Sequence, residues 1–265
     1  MTAASILFEA PPGQGVARIT LNRPEVLNSL DTAMALHLQQ LLAEVARDTT
    51  LRAVYLTGAG RAFCAGQDLA ETAPAEGRGV TDFAAHVRKL YNPLVLALRR
   101  MPKPVVCGVN GVAAGAGANL ALAADLVIAS EDAAFLQAFI KLGLVPDTGG
   151  TWLLPRLVGS AQAAALTLLG EKLTAQRAFE LGLIYKVCPA NQLEATAFGL
   201  AAELATQPTY GLALTKELLN VSARNSLEQQ LDMEAEYQGL AGKSEDYAEG
   251  VKAFLEKRKP AFKGK

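Results

Sequence analysis

Five residues, Val105 to Val109, carry no charge or amide and lie between Pro104 and a turn built almost wholly of glycine and alanine. A short apolar run bounded by breakers reads as a buried strand. The turn, Gly111 to Gly117, leads into a helix over Ala118 to Ala124, and Asp125 to Ser130 reads as another buried strand. A chain threaded this way through its middle must lay helices on a sheet. Its 51% hydrophobic and 6% aromatic content suits that packing, because small aliphatic side chains let helix and sheet approach closely. At 265 residues it can bury a sizeable core, as one large domain or a core with a small appendage.

The rest of the chain fits the same outline. Val16 to Leu21 alternates like a half-buried strand and stops at Asn22-Arg23-Pro24. Asp31 can cap a helix from Thr32 to about Arg47 with Met34, Leu38, Leu41, Leu42 and Val45 on one face. Arg52 to Thr57 is a second strand. A loop follows from Arg61 to about Val80, and Thr81 opens a helix to about Met101. A helix is expected over Thr151 to Leu157, Ser160 and Thr174 are expected N-caps, and Gly170 and Gly182 are expected stops. Ile184 to Cys188 is the last strand. Beyond Pro189 the pattern is helical, with a Ser226 and Gln229 capping box and an amphipathic Glu249 to Lys259. The organisation expected is a β/α catalytic core over 1–190 and a helical region over 191–265.

Several function classes drop out. A net charge of −1 offers no broad pull toward nucleic acid or anionic membrane. Met1 to Ala10 lacks a basic segment followed by an apolar run, and no stretch reaches the roughly 18 uninterrupted apolar residues of a span. Asn119 to Ser130, the nearest, is broken by Asp125. A cytoplasmic protein is expected. Cys64, Cys107 and Cys188 suggest neither a disulfide framework nor a metal site, and His37 and His86 read as packing or surface residues.

Three segments could carry chemistry. Ala62 to Leu69 follows a strand with small residues that let a ligand approach the backbone. Asn110 to Leu120 opens a helix, whose first N–H groups are unpaired and suit an anion or developing oxyanion. Gly115 and Gly117 share the spacing of a dinucleotide turn, but Leu120 stands where its third glycine belongs. Leu142 to Thr151 places Asp147 before a helix start, as a cap or as a proton-moving carboxylate in an apolar pocket. There a helix dipole lowers its pKa and burial raises it. Cys64 lacks the histidine that would make it a nucleophile.

In this order and separation, together with Leu21-Asn22-Arg23-Pro24 and the ending Gly250 to Phe262, the segments resemble the crotonase family, the enoyl-CoA hydratase/isomerase superfamily. The resemblance implies a spiral of ββα units with C-terminal helices that mediate trimerisation, as a homotrimer or dimer of trimers. It implies an acyl-CoA thioester substrate whose carbonyl sits in an oxyanion hole, with Ala65 and Ala116 as the backbone donors. Coenzyme A would belong to the substrate, with no further cofactor and no metal. It would lie along Arg23, Val26, Gln67, Asp68 and Leu69, near Gly117, with Phe254 and Lys257 reaching its nucleotide from a neighbouring subunit. Lys257-Arg258-Lys259 otherwise reads as a solvated helix end.

Family hydratases use two pocket glutamates, and the matching positions here hold Asn119 and Phe139. Neither can act as a base. The stretches Lys141 to Arg156 and Ala113 to Leu120 are similar to a branch of isomerases that convert ring-1,2-epoxyphenylacetyl-CoA to oxepin-CoA. They are similar also to enzymes that shift a 3-enoyl-CoA double bond to position 2. The expected chemistry is an isomerisation with Asp147 as the single acid/base and Phe139, Leu142 and Trp152 as an apolar wall. The alternatives are an enoyl-CoA hydratase and a non-catalytic acyl-CoA-binding trimer. A peptidase on a related fold would need a Ser and His pair that these loops do not offer.

Overall fold

The computed structural model describes residues 4–72 and 82–265. Among them the strands are β1 (Ile6–Glu9), β2 (Val16–Leu21), β3 (Ala53–Gly58), β4 (Ala62–Cys64), β5 (Val105–Val109), β6 (Val112–Ala114), β7 (Leu126–Ser130), β8 (Ala134–Leu136), β9 (Lys172–Thr174) and β10 (Lys186–Cys188). The helices are α1 (Thr32–Arg47), α2 (Leu69–Thr72), α3 (Phe83–Leu90), α4 (Asn92–Arg100), α5 (Ala116–Leu122), α6 (Gly150–Leu169), α7 (Ala175–Glu180), α8 (Leu193–Leu204), α9 (Thr209–Ser222), α10 (Leu227–Ala241) and α11 (Glu245–Leu255).

A six-stranded sheet runs β1-β2-β3-β5-β7-β10 and a four-stranded sheet runs β4-β6-β8-β9. The pairs β3–β5 and β5–β7 are parallel, as are β4–β6 and β6–β8. Each of β3, β5 and β7 is therefore followed by a short strand in the second sheet and then by helix. Three ββα units repeat, and the places where the chain passes from the small sheet to a helix lie side by side.

The elements form for local reasons where those are strong. The Asp31 carboxylate caps α1 by accepting from Met34 N at 2.7 Å, and Met34, Leu38, Leu41, Leu42 and Val45 are all buried. The larger sheet's other face is covered by α8, whose Ala197 and Ala201 pack with Tyr55, Val106 and Ile128. The helix expected up to Met101 is two helices. Pro93 has no N–H for the Lys89 carbonyl, which instead accepts from Gln39 Nε2 at 2.9 Å. The expected start at Thr81, and residues 73–80 of the expected loop, lie outside the described residues. The earlier part of that loop contains β4 and α2, and the glycine turn contains β6. Helix α6 has the length and apolarity of a membrane span, but Gly159 breaks its helical backbone and it buries Leu153 and Leu154 in the core.

Candidate active site

Two turns from neighbouring ββα units meet backbone to backbone. Gly66, at φ +95°, lies so close to the turn after β6 that a Cβ there would stand 2.8 Å from the Ala114 carbonyl oxygen and 3.4 Å from Ala116 N. A Cβ on Gly117 would stand 2.3 Å from the Cys64 carbonyl oxygen. No larger residue fits either place without moving main chain.

This contact decides which amides are free. Ala65 N donates to the Leu27 carbonyl at 2.9 Å, so the expectation that it is an oxyanion donor is corrected: its hydrogen is already used inside the fold. Leu30 accepts from Asp68 N at 2.9 Å and donates to the Gly66 carbonyl at 2.7 Å, forming a parallel bridge opposite Gln67. In such a bridge the middle residue's own N–H faces the other way. The Gln67 N–H has no partner among the described residues, and Gln67 lines the cavity. Ala116, the first residue of α5, also has its N–H without an intrahelical partner and lines the same cavity. The free amide of this turn therefore belongs to Gln67, two residues beyond the one expected from the sequence.

The cavity, of about 610 Å³, is walled by Leu69, Phe83, Val87, Phe139, Leu142, Leu144 and Val145, with Arg88, Asn92 and Lys141 among its polar members. Among the described residues Asp147 is its one acidic lining residue. Burial, the largest influence, raises the pKa of this carboxyl, opposed by a hydrogen bond from Thr148 Oγ1 at 2.7 Å and by the charge of His86. His86, whose helical surroundings concealed it in the sequence, stands next to the site without lining the cavity. Its Nε2 lies 3.1 Å from Gln67 Nε2, and its ring meets Tyr91 edge-on at 5.6 Å.

Asn119 is fully buried and gives Nδ2 to the Asp147 carbonyl at 2.9 Å. Phe139 is also buried and stands over Gly115 at the cavity wall. Cys64 is buried, and desolvation pushes its thiol up to about 12, so it stays a protonated packing group. The described residues contain no cluster of His, Cys, Asp or Glu able to hold a metal.

Other expected contact residues lie elsewhere. Arg23 is engaged behind the Gln67 turn, with ion pairs to Asp68 at 2.9 Å and Asp31 at 3.2 Å and a hydrogen bond to the Ser29 carbonyl. Arg23 and Asp68 thus fix the turn and do not line the cavity. Val26 is exposed on a 3-10 turn, and Gly117 is packed on Cys64. Trp152 stands beneath Arg156, whose guanidinium carbon is 4.2 Å from the ring centre, and is not part of the cavity wall. Phe254, 82% exposed, and Lys257 are likewise not brought to the cavity within one chain.

This arrangement of paired sheets and abutting turns is matched in known proteins. The enoyl-CoA hydratase/isomerase family matches residues 12–265, and the chain belongs to that family, the crotonases. A 1,2-epoxyphenylacetyl-CoA isomerase of Escherichia coli K12 is 54% identical over 95% of this chain and 96% of its own length. A Rhodobacter capsulatus protein described as a probable enoyl-CoA hydratase is 48% identical over the same shares. The crystal structure of an enoyl-CoA hydratase from Bacillus anthracis superposes with a TM-score of 0.90 at 34% identity, covering 99% of this chain and all of that one.

Proposed function

We propose that the chain is an acyl-CoA isomerase that rearranges ring-1,2-epoxyphenylacetyl-CoA to oxepin-CoA and shifts 3-enoyl-CoA double bonds to position 2. The observation that carries this reading is Asp147, the one carboxylate among the described residues that line an apolar cavity, together with two backbone amides, at Gln67 and Ala116, that have no partner among those residues. The thioester carbonyl accepts from those two N–H groups, which lowers the energy of an enolate formed next to it. Asp147 removes the proton on the carbon beside the thioester and returns one further along the unsaturated system. No second acid is needed, because the same carboxyl that takes the proton gives it back. With Asn119 sealed away and Phe139 apolar, no described residue lining the cavity plays the part of a hydratase's two glutamates.

Coenzyme A enters as part of the substrate. The exposed apolar side chains Leu219, Leu227, Leu231, Phe254 and Leu255 of α9, α10 and α11 support subunit contacts, in a trimer or a dimer of trimers. Such contacts would let Phe254 and Lys257 reach a neighbour's nucleotide. The cytoplasm is the compartment in which we place it. The reaction class is tested by offering the purified protein a 3-enoyl-CoA and, separately, crotonyl-CoA. Brisk conjugation of the first with little hydration of the second is expected, and the reverse would return the chain to the hydratases.

A further inference from the structure

We infer that Thr148, Asn119 and Gln137 are positioning residues that hold Asp147 from both ends, its carboxylate by the Thr148 hydroxyl and its main chain by the Asn119–Gln137 amide pair. This rests on Asp147 being the acid/base. Thr148 is 1% exposed and has a backbone φ of +51°, a left-handed conformation that a β-branched residue adopts only at a cost. Glycine or asparagine would take that backbone with less strain, so the fold alone gives no reason for threonine. What the strained residue provides is its Oγ1, 2.7 Å from Asp147 Oδ1.

At the other end, the Asp147 carbonyl accepts from both Asn119 Nδ2 and Gly150 N at 2.9 Å. Asn119 Oδ1 in turn accepts from Gln137 Nε2 at 2.9 Å, and Gln137 is 4% exposed. Gly150 is pressed on this amide, since a Cβ there would stand 2.4 Å from Asn119 Nδ2. Fully buried and absent from the cavity wall, the Asn119 side chain bears on the site through its bond to the Asp147 carbonyl. The position that resembles a hydratase glutamate has become a support for a carboxylate on a different loop. Among the described residues, the other charged or titratable groups near Asp147 are His86 and Tyr91, and Arg88 and Lys141 on the cavity wall, and the variants below leave all four in place.

The test is the pH dependence of 3-enoyl-CoA isomerisation by the full chain, with Asp147→Asn as control. Thr148→Ser keeps the hydroxyl and is expected to behave as wild type. Thr148→Val keeps the shape and removes the hydrogen bond, so kcat should fall about 10- to 100-fold, the cost of a misplaced group. KM should stay within about twofold, because the lost interaction does not bind ground-state substrate. The acid limb of kcat should move to higher pH, since the lost bond favoured the carboxylate. Asn119→Ala should lower kcat without moving that limb, and Asn119→Glu should not gain crotonyl-CoA hydration. Should Thr148→Val fail to fold, Thr148→Gly, which suits the left-handed backbone, is expected to show the same slowed, shifted profile. Wild-type kcat and pH profile in the Thr148 and Asn119 variants, with Asp147→Asn inactive, would overturn the positioning role and leave the acid/base intact. Full turnover by Asp147→Asn would instead overturn the acid/base, and the positioning role with it.

Discussion

The Ala116 amide is chemically ordinary, and its value comes from what it does not do. As the first residue of α5 it has no helical acceptor, and the Gly66 turn closes against it so that its hydrogen faces the cavity. Proline is tolerated at the first position of a helix because the N–H it removes is unpaired there. Ala116→Pro should therefore fold with little loss of thermal stability while kcat falls by about 10²–10³, the usual consequence of losing one oxyanion donor. Melting curves and steady-state kinetics on the same preparation check both halves, and a fully active Ala116→Pro would remove that amide from the mechanism. Which amides are free was only partly legible from the residues. The helix starts at Ala116 rather than at Ala118, and Ala116 as a donor follows from the family resemblance. Gln67 does not, because the competing Ala65 amide is taken by the carbonyl of Leu27, remote in sequence and brought close only by the fold. His86 was hidden for the same reason, since its partner Gln67 is on another element.

Secondary structure was legible in proportion to how local its causes are. Helix α1 begins and ends where its Asp31 cap and apolar spacing place it, and β5 matches its five apolar residues. The strands β4, β6, β8 and β9 have three residues each, too few for any period, and exist through pairing with one another across long loops. The helix-to-core joints were equally invisible. Lys216 of α9 is 8% exposed, and its Nζ donates to Asp125 Oδ2 at 2.7 Å and to the Leu98 and Lys103 carbonyls. Burial lowers the pKa of this lysine, and the Asp125 carboxylate opposes that. Removing Lys216 takes the nearest cation from Asp125, which keeps only Arg99 at 3.7 Å and the Val105 N–H at 2.8 Å, and it leaves the Leu98 and Lys103 carbonyls without this donor. Lys216→Ala should therefore cost about 2–3 kcal/mol in denaturant unfolding. A loss no larger than that of a surface lysine would show that α9 is not latched to the core by this contact.

In the whole molecule, the two sheets share a run of ββα units, so the turns that leave the smaller sheet stack beside one another. Each turn contributes one part: Gln67 after β4, Ala116 after β6, and Asp147 on the loop between β8 and α6. Residues separated by 80 positions in the chain thus converge without any one segment carrying a complete motif. That is why the order and spacing of three weak signals said more than any of them alone. It is also why the apolar wall was only partly foreseen: Phe139 and Leu142 take their places in it, whereas Trp152 turns toward Arg156. Family membership is consistent with a thioester substrate, and Asp147, the one carboxylate among the described lining residues, supports the proposed isomerisation over hydration. The most direct measurement compares wild type with Asp147→Asn for migration of the double bond in a 3-enoyl-CoA, followed by absorbance of the conjugated product. Loss of turnover with thioester binding retained is the predicted result, whereas an Asp147→Asn enzyme that isomerises at the wild-type rate would contradict the account at its centre.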